Sequence, residues 1–131
     1  NEHGFIKSVH RHLPTDVFSW KIHDTFTGGV PDAMYAGPAR ILFVEYKYLN
    51  LPKKETTVIK TGLSALQLQW LDTMLNYDAT PAVIIGTAIG GIILTDQEWY
   101  KELRLKDFEY ALDTKQLSNW IYRSINESNM P

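Results

Sequence analysis

Apolar residues recur along the chain in two rhythms, and the switches between them mark out its elements. Over residues 2–13, Glu2, Phe5, Ile6, Val9 and Leu13 fall three and four positions apart. That spacing predicts an amphipathic helix, ended by Pro14. From Val17 to His23 the rhythm becomes alternation, with Phe18, Trp20 and Ile22 set against Val17, Ser19, Lys21 and His23, which predicts a strand. Thr27-Gly28-Gly29 reads as a turn, Val30 to Tyr35 as a short second strand, and Gly37-Pro38 as another break. Residues 40–48 are apolar on both faces until Glu45 and Lys47 interrupt them, a pattern that predicts a strand at the centre of a sheet.

A loop bearing Pro52, Lys53 and Lys54 follows and ends near Gly62. Ser64 is placed to cap a helix with Leu66, Trp70, Leu71, Met74 and Leu75 on its inner face. Pro81 to Gly86 and Gly91 to Thr95 read as two short strands, and a helical turn is expected near Asp96–Leu103. Thr114 opens a last helix carrying Leu117, Ile121 and Ile125. The predicted order is α-β-β-β-α-β-β-α: an α/β fold with a central mixed sheet flanked by helices. Neither repeats nor linkers interrupt it, and residues 1–131 are expected to form a single domain.

Composition narrows the chemistry. The chain has no cysteine, which excludes disulfides and thiolate zinc sites and leans towards the cytoplasm, of a host cell if the source is viral. Its start lacks the charged and apolar regions of a signal peptide, and beginning at Asn1 it is expected to have lost a few residues. No apolar run reaches the roughly 20 residues of a membrane span. A net charge of -2 does not announce a nucleic-acid partner, but the charge is uneven. Arg40 to Gly62 holds Arg40, Lys47, Lys53, Lys54 and Lys60 against Glu45 and Glu55, whereas Asp96 to Asp113 is acidic. Local patches, not the sum, decide whether a phosphate backbone can dock.

The chemistry concentrates between Gly28 and Lys47. Residues two apart on a strand share a face, so Glu45 and Lys47 emerge together while Tyr46 points away. A hairpin through the Ala36–Ala39 turn would set Asp32 across from them. Charges closing so apolar a run are costly to bury without a task. A hard cation such as magnesium takes oxygen ligands and keeps several waters. Asp32, Glu45 and the main-chain carbonyl of Tyr46 could supply them, with Lys47 orienting a water or offsetting transition-state charge. The substrates such a set favours are phosphodiesters. The plainer alternatives are a turn aspartate at Asp32 and a simple ion pair between Glu45 and Lys47.

Pro31-Asp32 followed by Glu45-Tyr46-Lys47 resembles the PD-(D/E)xK nuclease signature. The preceding Gly-Gly-Val and the later Leu63-Ser64-Ala65-Leu66-Gln67 make the chain similar to the virus-type replication-repair nucleases (VRR-NUC), which stand close to Holliday-junction resolvases. The likeness covers roughly residues 1–95. It implies a restriction-endonuclease-like core and a magnesium- or manganese-dependent endonuclease acting on DNA, branched or duplex, in phage-type replication, repair or recombination. Asp32 and Glu45 would be metal ligands and Lys47 catalytic, with Glu2 on the first helix completing the site and Gln67 beside it. By themselves Glu2 and Gln67 could equally be first-turn helix residues.

Lys53, Lys54 and Lys60 are expected to contact phosphates, since their loop leaves the site. His3, His10 and His12 read as surface or DNA-facing side chains, and Trp70, Tyr77, Trp99 and Trp120 as core or interface residues. The small size suggests a homodimer, with apolar residues of the first or last helix as its interface. Two rival functions remain: an inactive nuclease-fold module that binds nucleic acid or protein, and a hydrolase of small phosphoesters. The basic loop and the lack of a Gly-rich phosphate cradle count against the second.

Overall fold

The computed structural model describes residues 1–23 and 27–129. Helix α1 spans Glu2–Arg11, followed by strands β1 (Phe18–Lys21), β2 (Ala33–Ala36) and β3 (Ile41–Tyr48). Helix α2 (Ala65–Asn76), strands β4 (Thr80–Thr87) and β5 (Gly90–Leu94) and helix α3 (Thr114–Asn126) complete the expected order. Short 3-10 turns at Glu98–Tyr100 and Leu105–Phe108 lie before α3; the second of them has no counterpart in the predicted order. The five strands run β1-β2-β3-β4-β5 across one sheet, antiparallel except where β3 pairs with β4 in parallel. β3 is thus the central strand, as its two apolar faces predicted.

Each face of the sheet has its own core. Leu42, Val44 and Tyr46 of β3 point under α1 and α3, where they meet Phe5, Val9, Leu117 and Ile121. Val83 and Ile85 of β4 point the other way, towards Leu71 of α2 and towards Trp99, Leu103 and Phe108. Burying each such aliphatic side chain contributes about 1.5–3 kcal/mol. The apolar faces of α1 and α3 are therefore spent inside the molecule, which removes them as a dimer interface. Arg40 ties the end of α3 down by donating to the carbonyls of Ser124 and Glu127, two acceptors that helix geometry leaves free.

Two helix readings change. α1 stops at Arg11, short of Leu13, because Leu13 N–H turns to the His10 carbonyl as the chain leaves the helix. On α2 the buried residues are Leu71 and Met74, while Leu66 is 55% exposed and Trp70 half-buried. The helix packs chiefly on β4, and its Leu66 end meets the Gly28-Gly29 segment, which has no side chains to cover it. Among the described residues no helix is long and apolar enough to cross a membrane.

Candidate active site

The last rung of the β2–β3 ladder pairs Ala33 with Val44. Carrying that register on sets Asp32 opposite Glu45 and Pro31 opposite Tyr46. Proline has no N–H to give, so the next rung cannot close in the ordinary way. Instead the Tyr46 N–H donates to Asp32 Oδ2 at 2.8 Å. The N–H and C=O of one strand residue face the same neighbour, so the Tyr46 carbonyl looks towards this edge, across from a residue without a donor. The broken rung also explains why β2 begins at Ala33 rather than at Val30. On its far side Asp32 still holds β1, its carbonyl accepting the Ile22 N–H at 2.8 Å.

Two glycines let this edge sit close to α2. Gly29 has φ +86°, and a Cβ there would overlap the Leu66 carbonyl. A Cβ on Gly28 would lie 2.6 Å from the Leu66 side chain. Gly29 needs the absence of a side chain, for the backbone it meets and for its own conformation, whereas at Gly28 the Leu66 side chain could move aside.

Glu45 projects from β3 on the α2 side and is only 3% exposed. Its Oε2 accepts from Gln67 Nε2 at 2.9 Å and lies 3.7 Å from Lys47 Nζ. Gln67 is fixed for this contact by a reciprocal cap: its Oε1 accepts the Ser64 N–H and its own N–H donates to Ser64 Oγ. Glu45 Oε1 is buried and has no hydrogen-bond partner. A carboxylate oxygen in that position is expensive unless a proton or a cation reaches it.

The electrostatics agree. Burial first, then the neighbouring Asp32 charge, pushes the Glu45 carboxyl up to about 8, with Lys47 opposing. Asp32 is also raised, by burial, although the Tyr46 N–H and Lys47 pull it back down. Of the two carboxyls Glu45 is the more strongly raised, so it is the one that takes up a proton first. Glu2, half-buried at the start of α1, is raised by burial and by Asp32, and its charge reaches Glu45 in turn.

Asp32, Glu45, Tyr46, Lys47 and Gln67 thus come together, with Glu2 in electrostatic range. Among the described residues no group of three His, Asp or Glu side chains is gathered to hold a metal ion. A cation here would be held by Asp32 and Glu45, with the Tyr46 carbonyl and water filling its remaining positions. That donor set suits magnesium, which keeps several waters and uses one or two carboxylates. A cation would take the place of the proton that burial favours on Glu45 and give the unpartnered Oε1 a partner, so the residues fit such an ion.

Lys53, Lys54 and Lys60 are exposed, and among the described residues none of them makes an ion pair. Their loop is pinned to the body where Ile59 N–H meets the Leu103 carbonyl at 2.8 Å. His10 departs from its surface reading. It is half-buried and 2.6 Å from the Tyr35 hydroxyl, which is 2.6 Å from the Tyr46 hydroxyl beneath the site strand. Burial, then Lys21, lowers its pKa. Its position four residues after Ile6 and one after Val9, on the helix's inner face, was the signal for this.

No family model and no curated protein matches the chain. Among solved structures it resembles Hjc, a Holliday junction resolvase from the archaeal hyperthermophile Archaeoglobus fulgidus, determined at 1.6 Å. The TM-score is 0.56 at 13% sequence identity, over 89% of this chain and 99% of that one. The likeness is one of fold. The chain has the α/β architecture of that resolvase, the restriction-endonuclease-like core expected from its motif.

Proposed function

We propose that the protein is a divalent-cation-dependent nuclease that hydrolyses DNA phosphodiester bonds. The observation that carries this reading is the buried, unpartnered Oε1 of Glu45, the residue that strand register sets opposite Asp32. A fold shared with a Holliday junction resolvase supports it. Membership of the virus-type replication-repair nucleases rests on the motifs alone.

Asp32 and Glu45 hold the cation, magnesium or manganese, with the Tyr46 carbonyl as a third oxygen donor. When bound, the ion polarises the scissile phosphoryl oxygen and acidifies a water. Lys47 stands beside Glu45 to orient the attacking water and to offset the negative charge that grows on the phosphoryl oxygens as the P–O bond to the leaving group breaks. Gln67 keeps Glu45 Oε2 in place, leaving Oε1 free for the ion. Glu2 adds negative charge that draws the cation in. Lys53, Lys54 and Lys60 meet the backbone on either side of the scissile phosphate. Structure-selective cutting, of junctions, flaps or nicked sites, and action as a homodimer belong to the same reading.

Supercoiled plasmid, a flap and a four-way junction are incubated with magnesium or manganese, alongside Asp32→Ala and Lys47→Ala. Cleavage that needs the metal and disappears in both variants is expected. Absence of cleavage on every substrate would overturn the proposal.

A further inference from the structure

The carboxylate row does not stand alone on its face of the sheet. Strand register puts Ile22, Asp32 and Glu45 in one row across β1, β2 and β3, and Trp20, Met34 and Phe43 in the next. Two residues of strand separate the rows by about 6.8 Å, two base steps of a stacked nucleic-acid strand at about 3.4 Å each. Trp70 follows Gln67 by three positions on α2, and its ring meets that of Phe43 with centroids 6.0 Å apart. Trp20 is 57% exposed, because among the described residues no helix covers β1 on this side. Shallow recesses open on both flanks of Trp70, one towards Trp20 and Ile22, the other towards Leu66 and Tyr77. Among the described residues no Asp, Glu, Lys or Arg lines either recess, and His23 lines the one beside Trp20.

We infer that this aromatic row is a stacking platform for unpaired nucleobases next to the scissile phosphate. The inference rests on the nuclease reading and names its substrate class: a strand with single-stranded nucleotides flanking the cut. Three observations favour bases over another occupant. The platform is continuous with the phosphate site, sharing β3 and α2 with it. Trp20, Phe43 and Trp70 are aromatic where a greasy contact would need only aliphatic residues such as Met34 between the first two. Its lining, without Asp, Glu, Lys or Arg among the described residues, suits base faces, while Lys47 and the loop lysines take the phosphates. Bases in a duplex keep their faces stacked on one another, so only unpaired ones can use it.

Binding of a labelled oligothymidylate and of a short duplex is measured in EDTA, where no cutting occurs, for wild type, Trp20→Leu and Trp20→Phe. The exposed edge-strand position keeps both variants folded. Trp20→Leu should weaken single-strand binding about tenfold and leave duplex binding unchanged, and Trp20→Phe should restore most of the loss. In magnesium, Trp20→Leu should cut a flap less well relative to a nicked duplex. Equal single-strand affinity for wild type and Trp20→Leu overturns the platform, as does equal loss on both ligands. A wild-type dimer that Trp20→Leu converts to monomer, with binding intact, also overturns it and makes this face a contact between two copies. The nuclease reading is judged separately, by metal-dependent plasmid cleavage in the wild type.

Discussion

Gln67 Nε2 donates to Glu45 Oε2 at 2.9 Å while Gln67 Oε1 accepts the Ser64 N–H at the same distance. One side chain therefore closes the cap of α2 and orients the central carboxylate of the site. Gln67→Ala loses both contacts and should cost about 1–2 kcal/mol together with at least a tenfold drop in cleavage. Gln67→Glu keeps an oxygen for Ser64 but sets a second negative charge against Glu45. Its cleavage should fall further than that of Gln67→Ala while its helix cap holds, and thermal melting beside plasmid nicking separates the two losses.

The Glu45 carboxyl, raised to about 8, gives the metal-free protein a pH-dependent stability. Its pKa is higher folded than unfolded, so the folded state binds the extra proton. The stabilisation is complete below the unfolded value of 4.5 and is lost as pH rises through about 8. Glu45→Gln, which cannot ionise, should be more stable than wild type by a few kcal/mol at alkaline pH and similar to it near pH 5. Denaturant melts in EDTA at the two pH values test this, and a wild type that gains stability from acid to alkaline pH contradicts it.

A cation that displaces the proton from Glu45 must release it. Titrating magnesium into the protein near neutral pH should liberate about one proton per ion bound, falling towards none at pH well above 8. Calorimetry in buffers of different ionisation enthalpy reads the number directly. Glu45→Gln should release none and bind the ion far more weakly.

Asp32→Asn tests the charge of Asp32 apart from its structural bond. The amide oxygen can still accept the Tyr46 N–H, so the edge of β2 should stay in place and the melting temperature should change little. Cleavage should fall by about 100-fold or more, since one of the two carboxylates is gone. A variant that melts early instead would show that the negative charge itself holds the edge.

Gly29→Ala acts on the approach of the Pro31-Asp32 segment to α2. Its φ of +86° and the overlap with the Leu66 carbonyl leave no room for a methyl group. A destabilisation of about 2 kcal/mol or more is expected, with cleavage reduced beyond what lost stability accounts for. Gly62→Ala is the control. It shares a positive φ of +79°, but a Cβ there meets nothing, so only the conformational strain remains.

Much of this was legible along the chain. Alternation at Phe18–Ile22, the continuous apolar run Ile41–Val44, the three-and-four spacing around Phe5–Val9, and Leu117, Ile121 and Ile125 are local patterns. Each was enough to identify an element, but not that the apolar face of β1, with Phe18 and Trp20, stays exposed. The same period-two rule put Glu45 and Lys47 on one side of β3, and the hairpin length put Asp32 near them. Leu66 and His10 were misjudged for a common reason: how far a helix overhangs the sheet, and what meets its inner face, depends on strands distant in sequence.

By itself, then, the sequence determined the order of elements, the central strand and the acidic pair with its lysine, because these follow from periodicity and spacing over a few residues. Only the tertiary structure decided that Pro31 stands opposite Tyr46 and leaves a rung unclosed, that Gln67 reaches Glu45 from another element, and that Trp20 stays uncovered in one row with Phe43 beside the carboxylates. Strand register and helix coverage are settled by packing the whole chain at once, and no local stretch of residues encodes them.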